Sequence, residues 1–332
     1  MSEFDEPNLS LMPLPAEKLA TEKFDSNVMA NFCQRSLSQE TRRAYRRVLL
    51  EFFQFNGNRH PSQITLTDML AWRDHLIKSR KKPSTVALKL SVVRSFFEYL
   101  KAGGHVGGNP ALTRLVPPPA PAEDLRGRAL SAKEVVHLLA GPDRSKVDGA
   151  RDYALILLML RTSIRVSEAC ALKASSIKWS HGRWIVRLKV KGGRERSIPL
   201  PTDVKKSIDE YLKLDEARRM KLGCGGQESY IFQPLTNYRT LVFDKSLSTT
   251  MAWKIVRRWG EFTAVGKLSP HDLRRTAITK ALDQGLTYRQ VQMMSGHKDP
   301  KTVMRYDYHR ENLDQNAVNF LNYGVEGDEE ES

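Results

Sequence analysis

Between Ser38 and Phe55 the apolar residues Tyr45, Val48, Leu49, Phe52 and Phe53 recur at helical spacing, and Ser38 can cap the start. Arg42, Arg43, Arg46 and Arg47 fall largely off that stripe, so the pattern predicts a helix with one packed side and one side free to meet phosphates. A second helix is predicted over about Thr67 to Lys78. A third runs from Ser84 to Lys101, where Val86, Leu90, Val93, Phe97 and Leu100 keep a four-three spacing. Gly103, Gly104, Gly107, Gly108 and Pro110 end the helical run. The stretch Pro117, Pro118, Pro119, Ala120, Pro121 follows; at about 3.1 Å per residue in a polyproline conformation it makes a stiff spacer. We therefore expect a helical domain over residues 26–116, a linker at 117–127 and a second domain at 128–323. Residues 1–25 are polar and Pro-interrupted and residues 324–332 acidic, and both ends are expected to be mobile.

The second domain opens with an S-x-x-E capping box, Ser131 and Glu134, leading into Val135, Val136, Leu138 and Leu139. Asp152 to Leu160 is a strongly apolar helix. From Arg183 to Val190 the period changes to two, with Trp184, Val186, Leu188 and Val190 on one face and Arg187, Lys189 and Lys191 on the other. Gly192 and Gly193 supply a two-residue turn into Arg194 to Leu200, so a hairpin with a basic face is predicted. The segments from Asp203 to Phe320 read as helices joined by loops.

Charge narrows the class of partner. Lys and Arg total 53 against 38 Asp and Glu, a net +15, which calls for a partner dense in negative charge. Nucleic acid fits, because a Lys/Arg surface gains affinity by releasing phosphate counterions. An anionic membrane is the rival, but no run of about 18 apolar residues exists, and the first 30 residues lack a basic start followed by an apolar stretch. The chain is expected to be soluble and cytoplasmic, associated with the nucleoid. Cys33, Cys170 and Cys224 lie far apart without a CxxC or His-rich companion, which indicates neither a zinc site nor a disulfide framework. GxxxxGK[ST] and HExxH are absent, so ATP use and zinc hydrolysis gain no support, and no cofactor or metal is expected.

Metal-free transfer of a phosphodiester needs a nucleophile, positive charge on the non-bridging oxygens and an acid for the leaving oxygen. Four segments offer such groups. TSIRVSE places Arg165 and Glu168 on one face at a helix start, a spacing that alone is often a surface ion pair. The hairpin tip carries Lys191, and basic hairpins are often plain DNA contacts or solvated faces. SPHDLRRT puts His271 and Arg274 on one side of a helix opened by Pro270, where a buried His with an ion-paired Arg is the plain reading. In SGHKDPKTVMRYDYH, Gly296 ends one helix, Asp299 caps the next and Pro300 begins it, which puts Tyr306 in its second turn; a helical tyrosine is usually packing.

Taken together, Arg165, Lys191, His271, Arg274, His297 and Tyr306 occur in an order and spacing that resembles the tyrosine recombinase (phage integrase) family, which includes Xer-like and mobile-element integrases. The resemblance runs from about Ser38 to Phe320. It is carried by TSIRVSE, KGGRERSIPL, the HDLRR box, and the GH followed nine residues later by tyrosine. It implies a mainly α fold with a small antiparallel β-hairpin or sheet, built as a two-domain clamp: an N-terminal helical core-binding (SAM-like) domain and a mixed α+β catalytic domain. It further implies a site-specific recombinase that breaks and rejoins DNA through a 3′-phosphotyrosine. Arg165 and Arg274 then clamp the phosphate, His271 and His297 hydrogen-bond it and help proton movement, Lys191 is the general acid, Glu168 orients the site and Tyr306 is the nucleophile. Arg42, Arg43, Arg46, Arg47, Lys189, Arg194 and Arg275 are the expected DNA contacts. Partners implied are double-stranded DNA with a specific recombination site and further copies of the chain, as a homotetramer on two sites, through a C-terminal stripe of Leu313, Ala317, Phe320 and Leu321; packing of that stripe on its own domain is the alternative.

The family usually has Gly where this chain has Ser163, and often His where it has Arg275. Lys189 and Tyr308 are the fallback acid and nucleophile. A type IB topoisomerase would use nearly the same side chains, and a catalytically silent DNA-binding regulator is a second alternative. The core-binding domain and the spacing from GH to tyrosine favour the recombinase.

Overall fold

The Val48, Leu49, Phe52 and Phe53 stripe is buried on a helix of 17 residues, Gln39–Phe55, capped by the Ser38 hydroxyl, which accepts from the Thr41 amide. In this computed structural model, residues 26–120, 128–189, 195–235 and 244–307 are described. Contacts divide the chain into two units, Met1–Leu125 and Arg126–Ser332, and the expected linker lies partly outside the described residues.

The first unit contains α1 (Ser26–Gln34), α2 (Gln39–Phe55), α3 (Leu66–Lys78) and α4 (Pro83–Ala102). Phe52 meets Trp72 edge-to-face at 4.9 Å, and with Leu49, Met69, Phe96 and Phe97 these rings form the fully buried centre. Each such side chain contributes roughly 1.5–3 kcal/mol by leaving water. The short helix α1 is not announced by any periodicity; it is held by Phe32 and Cys33, which enter this core. Arg43, Arg46 and Arg47 are exposed, as the pattern predicts, but Arg42 is half-buried and its Nε donates to the Ser36 carbonyl at 2.6 Å, bracing the turn between α1 and α2.

In the second unit, α5 (Ala132–Ala140) starts at the capping box of Ser131 and Glu134. The next helix, α6 (Val147–Thr162), is buried on every side over most of its length and forms the centre of the domain. It begins five residues before the predicted start because the charges of Arg151 and Asp152, which mask the apolar pattern, are buried as a pair at 2.7 Å. After the short α7 (Val166–Cys170) come β1 (Ile177–Ser180), β2 (Arg183–Lys189) and β3 (Glu195–Pro199), an antiparallel sheet in the order β1-β2-β3. Helices α8 (Thr202–Leu214), α9 (Glu216–Lys221), α10 (Thr249–Phe262), α11 (Pro270–Asp283), α12 (Tyr288–Ser295) and α13 (Pro300–Met304) complete the described part. The fold is thus mainly helical with one small antiparallel sheet.

On β2 the predicted alternation holds, with Val186 and Leu188 buried and Arg187 and Lys189 exposed. The described ladder ends at Lys189 opposite Glu195. Val190, Lys191, Gly192, Gly193 and Arg194 themselves lie outside the described residues. All three cysteines are buried and free, and burial pushes the Cys170 thiol up to about 11. No described helix is long and apolar enough to cross a membrane.

Candidate active site

The site is assembled where three chain reversals of the second unit meet. At the first, α6 ends and Ser163 takes the left-handed conformation, φ 52°, which glycine adopts without strain; its side chain is fully buried and the hydroxyl has no hydrogen-bond partner. Arg165 then caps α7. Glu168, three residues on, reaches back so that Oε2 accepts from the Arg165 amide and Oε1 from Arg165 Nη1, both at 2.9 Å. This is no ordinary surface pair, because Glu168 is only 7% exposed. Burial alone would raise its pKa, but the Arg165 amide, Arg196 and the Arg165 guanidinium together hold it below the usual range, so it is ionised. The Arg165 side chain stays 42% exposed, with Nη2 at 3.4 Å from the Gly296 carbonyl.

The second reversal is the start of α11, where Ser269 and Asp272 cap reciprocally and Pro270 occupies the first turn. One turn in, Arg274 is 4% exposed and donates to two backbone carbonyls and one imidazole: Nη1 to the Ser163 carbonyl, Nη2 to the Ser295 carbonyl at 2.9 Å and to His297 Nε2 at 2.9 Å. Burial first, and Arg165 second, bring its pKa down to about 10, which leaves it charged at neutral pH. His271 is held below its ordinary value by desolvation, then by Arg275 and Arg274.

The third reversal joins α12 to α13. Gly296 is left-handed at φ 68°, and a Cβ there would fall 2.8 Å from Arg196 Cζ. Arg196 stands opposite Leu188 on β3, so it shares the inward face of the sheet. Its Nη2 donates to Glu168 Oε2 at 3.2 Å and its Nη1 to the Met294 carbonyl at 2.9 Å. His297 lies between Arg274 and Tyr306, with its ring stacked on the phenol ring at 5.9 Å and 23°. Desolvation, then Arg274 and Arg165, bring His297 down to about 4, a neutral imidazole.

Tyr306 does not sit in the second turn of its helix. The helix stops at Met304 and tightens, with the Tyr306 amide bonding the Val303 carbonyl at 2.9 Å and the Asp307 amide the Met304 carbonyl at 3.2 Å. The ring enters an apolar pocket of Ile278, Ala281, Val291 and Val303 and is 6% exposed, while Thr279 donates to its carbonyl at 3.4 Å. Burying the ring outweighs one more helical turn. Arg275 lies 5.1 Å from the ring centroid.

Arg165, Glu168, His271, Arg274, His297 and Tyr306 are therefore brought together, from segments up to 141 residues apart. Lys191, Arg194, Tyr308 and the Leu313, Ala317, Phe320 and Leu321 stripe lie outside the described residues. Lys189 points to the exposed face of the sheet, away from the face that carries Arg196. Sequence reasoning missed Arg196; strand parity against Leu188 marks it as inward, once the register is known.

The Phage integrase family model matches residues 128–312, and the model of the phage integrase N-terminal SAM-like domain matches residues 31–104. A tyrosine recombinase XerC of Roseiflexus castenholzii is 31% identical over 279 residues, spanning 83% of this chain and 85% of the relative. The tyrosine recombinase XerC of Thermodesulfovibrio yellowstonii is 29% identical over 283 residues, 83% and 87% of the two chains. Among solved structures, XerH site-specific recombinase bound to a palindromic difH substrate, in a post-cleavage complex, shares the fold with a TM-score of 0.65, 17% identity and 87% and 88% coverage. A lambda integrase tetramer bound to a Holliday junction does so with 0.64, 18%, and 89% and 81%.

Proposed function

Because this chain belongs to the phage integrase family and is a site-specific tyrosine recombinase, we propose that Tyr306 is its nucleophile and that Arg165, Arg274, His271 and His297 form its phosphate cradle. The observation that carries this assignment is the continuous contact from Arg274 through His297 to Tyr306, with the open Arg165 guanidinium beside it.

In the proposed reaction the scissile phosphate enters against Arg165 and Arg274, whose fixed charges stabilise the equatorial oxygens as they gain charge. The phenol proton passes to one of the neutral imidazoles, His271 or His297. The Tyr306 oxygen then forms a bond to phosphorus as the bond from phosphorus to the 5′ oxygen breaks, and Lys191 protonates that leaving oxygen. A phosphotyrosine is itself a phosphodiester. Attack by another 5′ hydroxyl therefore reverses the steps, joins a new strand and needs no nucleotide to drive it. Glu168 holds Arg165 in place and remains ionised while doing so.

Both units contact the duplex in this proposal, the first through Arg43, Arg46 and Arg47, and the Pro-rich segment at residues 117–127 links them. Four copies act on two DNA sites in the bacterial cytoplasm, on nucleoid DNA; gel filtration with and without DNA tests the assembly. The topoisomerase and silent-regulator readings are not favoured, since the relatives matched over most of the chain are tyrosine recombinases. The test is a covalent-trapping gel on a nicked duplex: the wild type gives a protein–DNA adduct, and Tyr306→Phe gives none.

A further inference from the structure

Ser295 closes α12 and is fully buried. Its carbonyl accepts from Arg274 at 2.9 Å, and its hydroxyl lies 2.9 Å from Nδ1 of His297. On the other side of that ring, Arg274 Nη2 meets Nε2 at 2.9 Å. A guanidinium only donates, so Nε2 must hold a lone pair. The ring proton is then on Nδ1 and is donated to Ser295 Oγ, whose own hydrogen turns to the Gln292 carbonyl at 3.5 Å. Hydrogen bonding thus runs in one direction, from Arg274 through the imidazole and the Ser295 hydroxyl to the backbone of α12.

We propose that Ser295 is a positioning residue for His297: its hydroxyl fixes the ring plane and the Nδ1–H tautomer, and so reserves Nε2 for the side on which Arg274 holds the phosphate. The inference rests on the role given to His297 above. Which nitrogen carries the proton is set by the bond the other one makes. With Nδ1 committed to Ser295, any proton that His297 takes up or releases moves at Nε2, next to the guanidinium. Arg274 and His271 from α11, Arg165 before α7 and Arg196 from β3 all oppose positive charge on the ring, and Tyr306 covers one of its faces. The resting ring is therefore an acceptor, and it can become a donor to phosphate only when the phosphate's own charge enters.

The test uses the full chain labelled with ¹⁵N in histidine alone, without DNA, with His297 identified by the ring signals missing in His297→Gln. The wild type is expected to show His297 as the Nδ1–H tautomer at neutral pH. Ser295→Ala removes only the hydroxyl and keeps the carbonyl contact to Arg274; it should replace that signature with Nε2–H or averaged signals. Single-turnover cleavage of a nicked duplex should fall about tenfold in Ser295→Ala, the scale of one orienting hydrogen bond, with the DNA Kd unchanged. Ser295→Cys, which keeps the shape and a weak acceptor, should fall between the two. An intact Nδ1–H signature in Ser295→Ala overturns the proposal, as does a loss of cleavage that only tracks a loss of folded protein. Full cleavage by His297→Gln would remove the catalytic role of His297 and leave the tautomer result standing, so the two failures are distinguishable.

Discussion

The Arg196 guanidinium lies flat against Gly296, so that a Cβ at position 296 would sit 2.8 Å from Cζ, 2.9 Å from Nε and 3.0 Å from Nη1. Through this contact a strand of the sheet holds the turn that delivers His297, and the same guanidinium donates to Glu168 through Nη2. Gly296→Ala meets two penalties, a left-handed backbone that costs an L-residue about 1–2 kcal/mol and a displaced Arg196. The expected outcome is a lower Tm together with a cleavage rate reduced by more than the loss of folded protein explains, read by thermal melting and by single-turnover cleavage of a nicked duplex.

Ser163 carries the converse prediction. It holds a left-handed φ of 52° with a buried hydroxyl that has no partner, while its carbonyl alone serves Arg274. Ser163→Gly relieves both costs and keeps the carbonyl; against this stands the entropy of a freer unfolded chain, about 0.5–1 kcal/mol. The net expectation is a stabilisation of about 1 kcal/mol, measured by urea unfolding.

His297 makes stability depend on pH. Its folded pKa lies near 4, below the ordinary histidine value near 6.5, so between those two limits the unfolded chain binds the additional proton. Stability therefore falls as pH drops from about 6.5 to about 4, and this contribution is flat outside that window. The Tm of the DNA-free protein should decline over that range, and His297→Gln should make the decline shallower.

Arg42, Arg43, Arg46 and Arg47 look alike in the sequence but divide in the structure. Arg43, Arg46 and Arg47 are exposed, whereas Arg42 donates to the Ser36 carbonyl at 2.6 Å. If the three exposed residues each neutralise a phosphate, every Arg→Ala change lowers the steepness of log Kd against log salt by about 0.9. Arg42→Ala should lower Tm and leave the salt slope nearly unchanged. Titrations at several salt concentrations separate the two classes.

Much of the architecture was legible because it is local. The Val48 to Phe53 stripe, the capping box at Ser131, and the alternation along β2 each depend on neighbours within a few residues. The motif residues were found by type and spacing. What stayed hidden depends on long-range partners. Arg196 is inward only because β3 pairs with β2 in one register, and its carbonyl partner on Met294 is 98 residues away. The early start of α6 was masked by Arg151 and Asp152, whose charges are tolerated inside only as a pair. Tyr306 was placed one turn too far into a helix because no local signal announces the pocket of Ile278, Ala281, Val291 and Val303 that draws its ring inward.

The central claim is that one phenol oxygen temporarily holds the broken DNA end, and mass spectrometry of the nuclease- and protease-digested covalent adduct reads it directly. The account predicts a nucleotide attached through its 3′ phosphate to the peptide bearing Tyr306. A nucleotide on Tyr308, or cleaved DNA with no protein attached, would contradict it.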